Sequence, residues 1–428
     1  MNFEFSSLSL RVQQQVQRFM DERIVPRIPD WQSSVDRGIF PPPFIEELKA
    51  QARSQGLWNL FLPGLHAEEP GTALNNLDYA PVAEIMGRVP WASEVFNCSA
   101  PDTGNMELLH GFATPAQRNS WLLPLLHGEI RSAFAMTEPE VASSDATNIA
   151  TTIVRVGDDL LINGRKWFIT NSADPRCKLI VVMGVSELGT SSHERHSMAL
   201  VPMDTEGLKV VRNIPVMHHL APEGHGELIF KNVRVPANNL LGRAGQGFAM
   251  AQARLGPGRI HHCMRSIGQC ELAFELMCRR ALTRRTFGKA LAERDSIASW
   301  IAQSRLQIEQ ARLLVLKTAW MIDQFGAEAA RTEISMIKAL VPRMQVTIVD
   351  RAIQVFGAAG LTPDTPLAFL WTWGRALCFA DGPDEIHLRA VARRELQKFA
   401  TPSTVAARYA PDRVAADADL TNDTADGD

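Results

Sequence analysis

Four short segments hold the residues best able to do chemistry, and they follow one another in a set order along the 428-residue chain. In the first, Phe134 and Met136 precede Thr137-Glu138-Pro139, and Ser143, Ser144 and Asp145 follow closely. Backbone N–H groups and short hydroxyls in such a turn can meet the edge of a heterocycle or a phosphate. Alone, the segment reads as a serine-rich turn at a domain junction. The second, Trp167-Phe168-Ile169-Thr170-Asn171, is an aromatic strand end that could wall a flat ring, although aromatic strands are more often core. The third, Arg284-Arg285-Thr286-Phe287-Gly288, offers a guanidinium suited to a pyrophosphate and a glycine that permits close approach. By itself a basic run is usually a solvated face. The fourth runs from Gln354, Phe356, Gly357 and Gly360 to Asp381-Gly382-Pro383-Asp384-Glu385, with Arg389 and Arg393 beyond. A carboxylate on a tight turn before a helix, as at Asp381, is more often only a cap.

The elements that must position these segments change character twice. Up to about residue 130 the pattern is helical, with Leu10, Val12, Val16, Phe19 and Met20 at helical spacing and Pro63-Gly64 and Pro70-Gly71 as turns. From 131 to 245 apolar residues alternate in short runs, which predicts strands in a small barrel or sandwich. Asn163-Gly164 between two such runs predicts a hairpin turn, since both residues accept positive φ. From 246 to 400 long amphipathic helical segments return and suit a bundle with a face for another subunit. The segment 401–428 lacks periodicity and predicts a disordered acidic tail. The expected class is α+β: an N-terminal helical domain (1–130), a middle β-barrel domain (131–245) and a C-terminal four-helix bundle (246–400).

Composition narrows the function. A formal net charge of -3 gives no reason to expect nucleic acid or an anionic membrane as partner. The six cysteines show no CxxC spacing and predict reduced, packed thiols. No leader and no run long enough to span a bilayer is apparent, so a soluble cytoplasmic protein is expected. No metal is expected either. His218-His219 and His261-His262 are adjacent pairs whose side chains diverge, and His193 and His196 read as solvated in a polar loop.

Taken together and in order, the Thr137-Glu138-Pro139 loop, Trp167 to Thr170, Arg284-x-x-Phe287-Gly288 and Gln354-x-Phe356-Gly357-x-x-Gly360 resemble the acyl-CoA dehydrogenase family. The resemblance covers residues from about 10 to 400. The Asp381-Gly382-Pro383-Asp384-Glu385 stretch is similar to the branch containing family members ten and eleven, without the kinase-like domain of those long proteins. It implies FAD as cofactor. Phe134, Met136, Thr137, Ser143 and Ser144 would lie against it, with Phe168, Ile169 and Thr170 along its face and N5 side. Arg284, Thr286, Phe287, Gln354, Phe356 and Gly357 would reach the FAD of a neighbouring subunit, so a homodimer is the minimal unit and a homotetramer the family habit. Pro383 and Glu385 match positions near the adenosine, and Ser144, Arg259, Gly382 and Arg393 match the substrate side.

The resemblance also implies a reaction. An acyl-CoA thioester loses its α-proton to a carboxylate and a β-hydride to flavin N5, as in fatty acid β-oxidation, and electrons pass to an electron-transfer flavoprotein. Most relatives have a glutamate where this chain has Asp381. Others use one on the helix of Arg259, where this chain reads Leu255-Gly256-Pro257-Gly258. Asp381 is therefore the candidate base, roughly 1.5 Å shorter in reach. Asp295 replaces a glutamine that touches adenine in many relatives. Burial beside an apolar flavin is expected to raise the carboxyl pKa towards its task. Hydrogen bonds to the thioester carbonyl, one from the Asp381 N–H, would stabilise the enolate. Two other readings stand beside this one: a flavin oxidase or monooxygenase of the nitroalkane-oxidase type, and a catalytically silent acyl-CoA-binding flavoprotein.

Overall fold

The computed structural model describes residues 4–186, 191 and 193–400, and the predicted tail 401–428 lies outside the described residues. The chain begins with helices α1 (Ser7–Phe19), α2 (Ile28–Asp36), α3 (Ile45–Ser54), α4 (Asn76–Gly87), α5 (Ala92–Val95), α6 (Asp102–Phe112), α7 (Pro115–Gln117) and α8 (Leu123–Leu126). Ser6 caps α1 by accepting from the Ser9 N–H, which satisfies one of the orphan donors of the first turn. Val12, Val16, Phe19 and Met20 are buried at helical spacing, whereas Leu10, expected in the same stripe, is 49% exposed. Asn75 caps α4, and Asp78 in its first turn accepts from the Ser6 N–H at 2.9 Å, which ties the two helices together.

Eight strands follow: β1 (Arg131–Ala135), β2 (Thr152–Val156), β3 (Asp159–Thr170), β4 (Cys177–Val185), β5 (His196–Pro202), β6 (Leu208–Asn213), β7 (His225–Pro236) and β8 (Leu240–Leu241). They form one sheet in the order β6-β7-β3-β2-β4-β5-β8, with β1 added parallel to β4. Alternation along β4 explains why both faces are covered. Leu179, Val181 and Met183 join the core shared with the helices, while Ile180 and Val182 join the core on the opposite face.

The hairpin expected at Asn163-Gly164 is not there. The turn is Gly157-Asp158, and Asn163-Gly164 lies inside β3 at a register shift against β7. Gly164 has φ 156°, and a Cβ there would sit 2.3 Å from Thr151 Oγ1. The glycine serves close packing at a bulge rather than a chain reversal. His196, expected in a solvated loop, is a fully buried residue of β5, and His193 meets the Phe248 ring edge-on at 4.6 Å.

The last region holds α9 (Gly247–Thr283), α10 (Asp295–Ala329), α11 (Arg331–Phe356), α12 (Leu367–Leu377) and α13 (Asp384–Lys398), with a short hairpin of β9 (Arg285–Thr286) and β10 (Lys289–Ala290) between the first two helices. α9 and α4 cross backbone to backbone. A Cβ on Gly87 would lie 2.2 Å from the Arg265 carbonyl oxygen, and one on Gly268 would lie 2.0 Å from that of Glu84. α9 and α11 run side by side in the same direction, since Cys263 contacts Ile337 and Gln269 accepts from Gln345. No helix among the described residues is long and apolar enough to cross a membrane.

Candidate active site

Asp381 sits between α12 and α13 with φ 56°, followed by Gly382 at φ 102°. A non-glycine residue held in this region stores roughly 1–3 kcal/mol of strain and needs outside support. That support converges on its carbonyl. Arg259 Nε donates to Asp381 O at 3.0 Å, and His387 Nε2 lies 3.2 Å from the same atom. Lys338 holds the preceding turn by donating to Leu377 O at 2.5 Å. The Asp381 side chain does not cap α13, whose N-cap is Pro383. Instead Asp381 Oδ2 lies 3.3 Å from His262 Nε2, with a fifth of the side chain exposed.

The electrostatics correct the expected pKa. Burial does push the Asp381 carboxyl up, but the His262 hydrogen bond, Arg254 and Lys338 more than offset it and hold the group below the usual carboxylate range. His387 is pushed down to about 4 by burial, then by Arg259 and Lys338.

The opposite wall belongs to the sheet. Arg254 of α9 lies 4.0 Å from the centroid of Phe134, donates to Asn105 at 3.0 Å and shares its field with Asp381. This guanidinium stacks on the strand carrying the first motif and adds positive potential at the acid. Thr137 Oγ1 donates to Trp167 O at 2.5 Å, and the Trp167 N–H returns a bond to Thr137 O at 3.1 Å. Beneath them Lys166, wholly buried, donates to Met136 O, Glu138 Oε1 and Met183 O, each at 2.8 Å. Glu138 also accepts from the Ala150 and Thr151 N–H groups. The two partners shift alike for different reasons. Burial pushes the Lys166 ammonium down to about 8 despite Glu138, whereas burial of Glu138 is outweighed by Lys166 and the Thr151 and Ala150 bonds, which hold its carboxyl low.

Other residues of the expected cofactor surface divide. Phe168 is 46% exposed at φ 53°, and Ser143 accepts from the Glu138 N–H while Ser144 is exposed. Ile169 buries its side chain in the sheet core, which leaves any ligand contact there to its backbone. Thr170 Oγ1 lies 3.1 Å from His225 Nδ1. Arg393 is on an exposed part of α13, and Glu385 is exposed with Arg343 3.9 Å away.

The remaining candidates gather at the far end of the bundle. Arg284 caps the C-terminus of α9, Thr286 and Phe287 follow, and Phe356 lies under Arg280 with its centroid 5.3 Å from the guanidinium carbon. Twenty-five helical positions, about 37 Å at 1.5 Å each, separate Arg259 from Arg284. Gln354, Phe356 and Gly357 therefore group with Arg284 and not with Asp381.

This surface suits a large planar group. Phe287 is 98% exposed, and a Cβ on Gly288 or Gly357 would meet no atom within 4 Å among the described residues. Open backbone beside an exposed aromatic ring is what stacking and close approach require. Away from the site, His66, Glu69 and His110 bring ligand atoms within 4.8 Å of one another, but Glu69 already accepts from Arg118 at 2.7 Å.

Several site residues escaped the sequence reading: Arg254, His262, Arg265 and Glu107. Burial pushes the Glu107 carboxyl up to about 8, with Arg254 pulling it down only in part. The signal for His262 was its place three residues after Arg259 and three before Arg265 on one helix face. His261 turns the other way, towards Tyr79 and Phe61.

Comparison with known proteins agrees along the whole described chain. The N-terminal, middle and C-terminal domain models of acyl-CoA dehydrogenases match residues 9–129, 133–233 and 245–396. The Mycobacterium tuberculosis protein FadE2, a candidate acyl-CoA dehydrogenase, is 52% identical over 93% of this chain and 98% of its own. Mouse acyl-CoA dehydrogenase family member 10 is 51% identical over 90% of this chain, which spans only 37% of that longer protein. A Mycobacterium abscessus structure, solved as a candidate acyl-CoA dehydrogenase, superposes with a TM-score of 0.88 at 46% identity, covering 93% of this chain and 100% of its own. The chain thus belongs to the acyl-CoA dehydrogenase family and is a flavin-dependent oxidoreductase.

Proposed function

We propose that the protein is an FAD-dependent acyl-CoA dehydrogenase that converts an acyl-CoA to the trans-2-enoyl-CoA, with an electron-transfer flavoprotein as acceptor. The observation that supports this reading is Arg254, which stacks on Phe134 of the strand wall and lies within electrostatic reach of the Asp381 carboxylate. Bound flavin supplies the two-electron acceptor for the β-hydride. Asp381 takes the α-proton, and its N–H donates to the thioester carbonyl where negative charge develops. Because the His262 bond and the neighbouring cations Arg254 and Lys338 hold the free carboxylate weakly basic, this carbonyl stabilisation must supply much of the proton-transfer driving force. Ser144, Arg259, Gly382 and Arg393 lie on the substrate side.

Phe134, Met136, Thr137, Ser143, Ser144, Phe168, Ile169 and Thr170 hold the flavin, with Pro383 and Glu385 towards the adenosine. Arg284, Thr286, Phe287, Gln354, Phe356 and Gly357 serve a second subunit's FAD. Their distance along α9 from Asp381 supports this division and a homodimer or homotetramer. The reading adds domain limits at 130/131 and 245/246, a cytoplasmic setting and a place in fatty acid β-oxidation. The test is to incubate the FAD-loaded protein with an acyl-CoA panel. A product two hydrogens lighter, formed with an artificial or flavoprotein acceptor, supports it; rapid oxygen consumption with hydrogen peroxide release instead indicates an oxidase.

A further inference from the structure

Arg259, His262 and Arg265 stand three residues apart on α9, and all three act on or towards the Asp381 loop. Arg259 holds the loop's carbonyl, and His262 faces its carboxylate. Arg265 Nη2 lies 3.1 Å from His262 Nδ1 and its Nη1 donates to Cys98 O at 3.4 Å. A guanidinium only donates, so Nδ1 must accept and the ring proton must sit on Nε2. That is the atom 3.3 Å from Asp381 Oδ2. Arg265 is itself fixed, because α4 presses on its backbone at Gly87. An Nδ1 that accepts from Arg265 carries no proton, which leaves the imidazole neutral, and burial lowers its proton affinity further than the Asp381 contact raises it. Gly258 borders the carboxylate, since a Cβ there would lie in ordinary contact, 3.7 Å from Asp381 Oδ2.

We propose that His262 is a positioning residue for the base, a neutral imidazole whose tautomer Arg265 sets and whose Nε2–H holds the Asp381 carboxylate in one orientation. One carboxylate oxygen is then occupied and the other is left to receive the substrate proton. An aspartate, one methylene shorter than the family's glutamate, has the greater need of a defined orientation. Holding it also has a cost, because a donor to the charged form makes the base weaker. Besides His262, the charged and titratable groups around the carboxylate are Arg254, Arg259 and the Cys263 thiol from α9 and Lys338 from α11, with His387 from α13 on its carbonyl. The inference rests on Asp381 being the base.

The experiment follows anaerobic flavin bleaching by a saturating acyl-CoA across pH, using FAD-loaded wild type, His262→Leu, His262→Gln, His262→Asn and Asp381→Asn. His262→Leu is expected to bleach at least about tenfold more slowly, with the acid limb of its profile moved up by roughly one to two pH units. Glutamine places an N–H near the Nε2 position and should restore most of the rate and the wild-type limb. Asparagine is equally polar but too short, so it should resemble leucine. Should the leucine protein not fold, the glutamine–asparagine contrast decides alone. Equal behaviour of those two, or a His262→Leu profile matching wild type, overturns the proposal. Bleaching by Asp381→Asn at the wild-type rate would instead remove the base assignment, and the role of His262 with it.

Discussion

Two acid–base pairs flank the proposed site, and they are wired differently. Lys166–Glu138 lies under the sheet wall with side chains 0% and 4% exposed; the ammonium donates to three oxygens, and both carboxylate oxygens accept. His262–Asp381 lies across from it with one carboxylate oxygen engaged and a fifth of the aspartate exposed. A buried ion pair that is fully tied down cannot exchange protons with anything, so it serves as a fixture for the Thr137-Glu138-Pro139 loop. A pair left open on one side can act. Backbone conformation marks the same division. Asp381 and Phe168, both partly exposed, have positive φ, as does the buried Asn171, whereas Lys166 and Glu138 do not.

The comparison is sharpened first by stability. Lys166→Met leaves Glu138 buried without its cation, and its denaturation midpoint should report a loss of about 3–5 kcal/mol. Asp381→Asn should stay within about 1 kcal/mol of wild type by the same assay, since a partly exposed group loses little. Equal costs at the two sites would erase the distinction. Gly164→Ala should come next, losing about 1–3 kcal/mol, because its methyl meets Thr151 Oγ1 and φ is unfavourable.

The smallest effect concerns pH. Glu138 is held below its unfolded value, so its contribution is complete above the unfolded carboxylate pKa of about 4.3 and is lost as pH falls through the folded one. Removing Glu138 with its partner, in Glu138→Gln/Lys166→Met, should flatten the acid side of the stability profile. A profile that keeps its slope would assign that slope to other carboxylates.

Much of this molecule was legible in its residues. The order helical, β, helical follows from periodicity, and the motif residues fall into two groups, one near Asp381 and the strand wall and one at the Arg284 end of the bundle. Other features need three dimensions. Asn163-Gly164 carries a hairpin signature, yet Thr151 crowds the chain there and the glycine is used for contact. His196 sits in polar sequence, but its strand runs through the interior. The weak basicity of Asp381 was hidden because Arg254 and Lys338 come from helices far apart in sequence. His262 stands beside His261 in the sequence, and that adjacency masks its three-residue spacing with Arg259.

The most direct measurement is anaerobic stopped-flow of the FAD-loaded protein with a good acyl-CoA, wild type against Asp381→Asn. The wild-type flavin should bleach, and the variant should retain its FAD yet bleach about a thousandfold more slowly. A variant that bleaches as fast as wild type, or a wild-type flavin that no acyl-CoA ever reduces, would contradict the account.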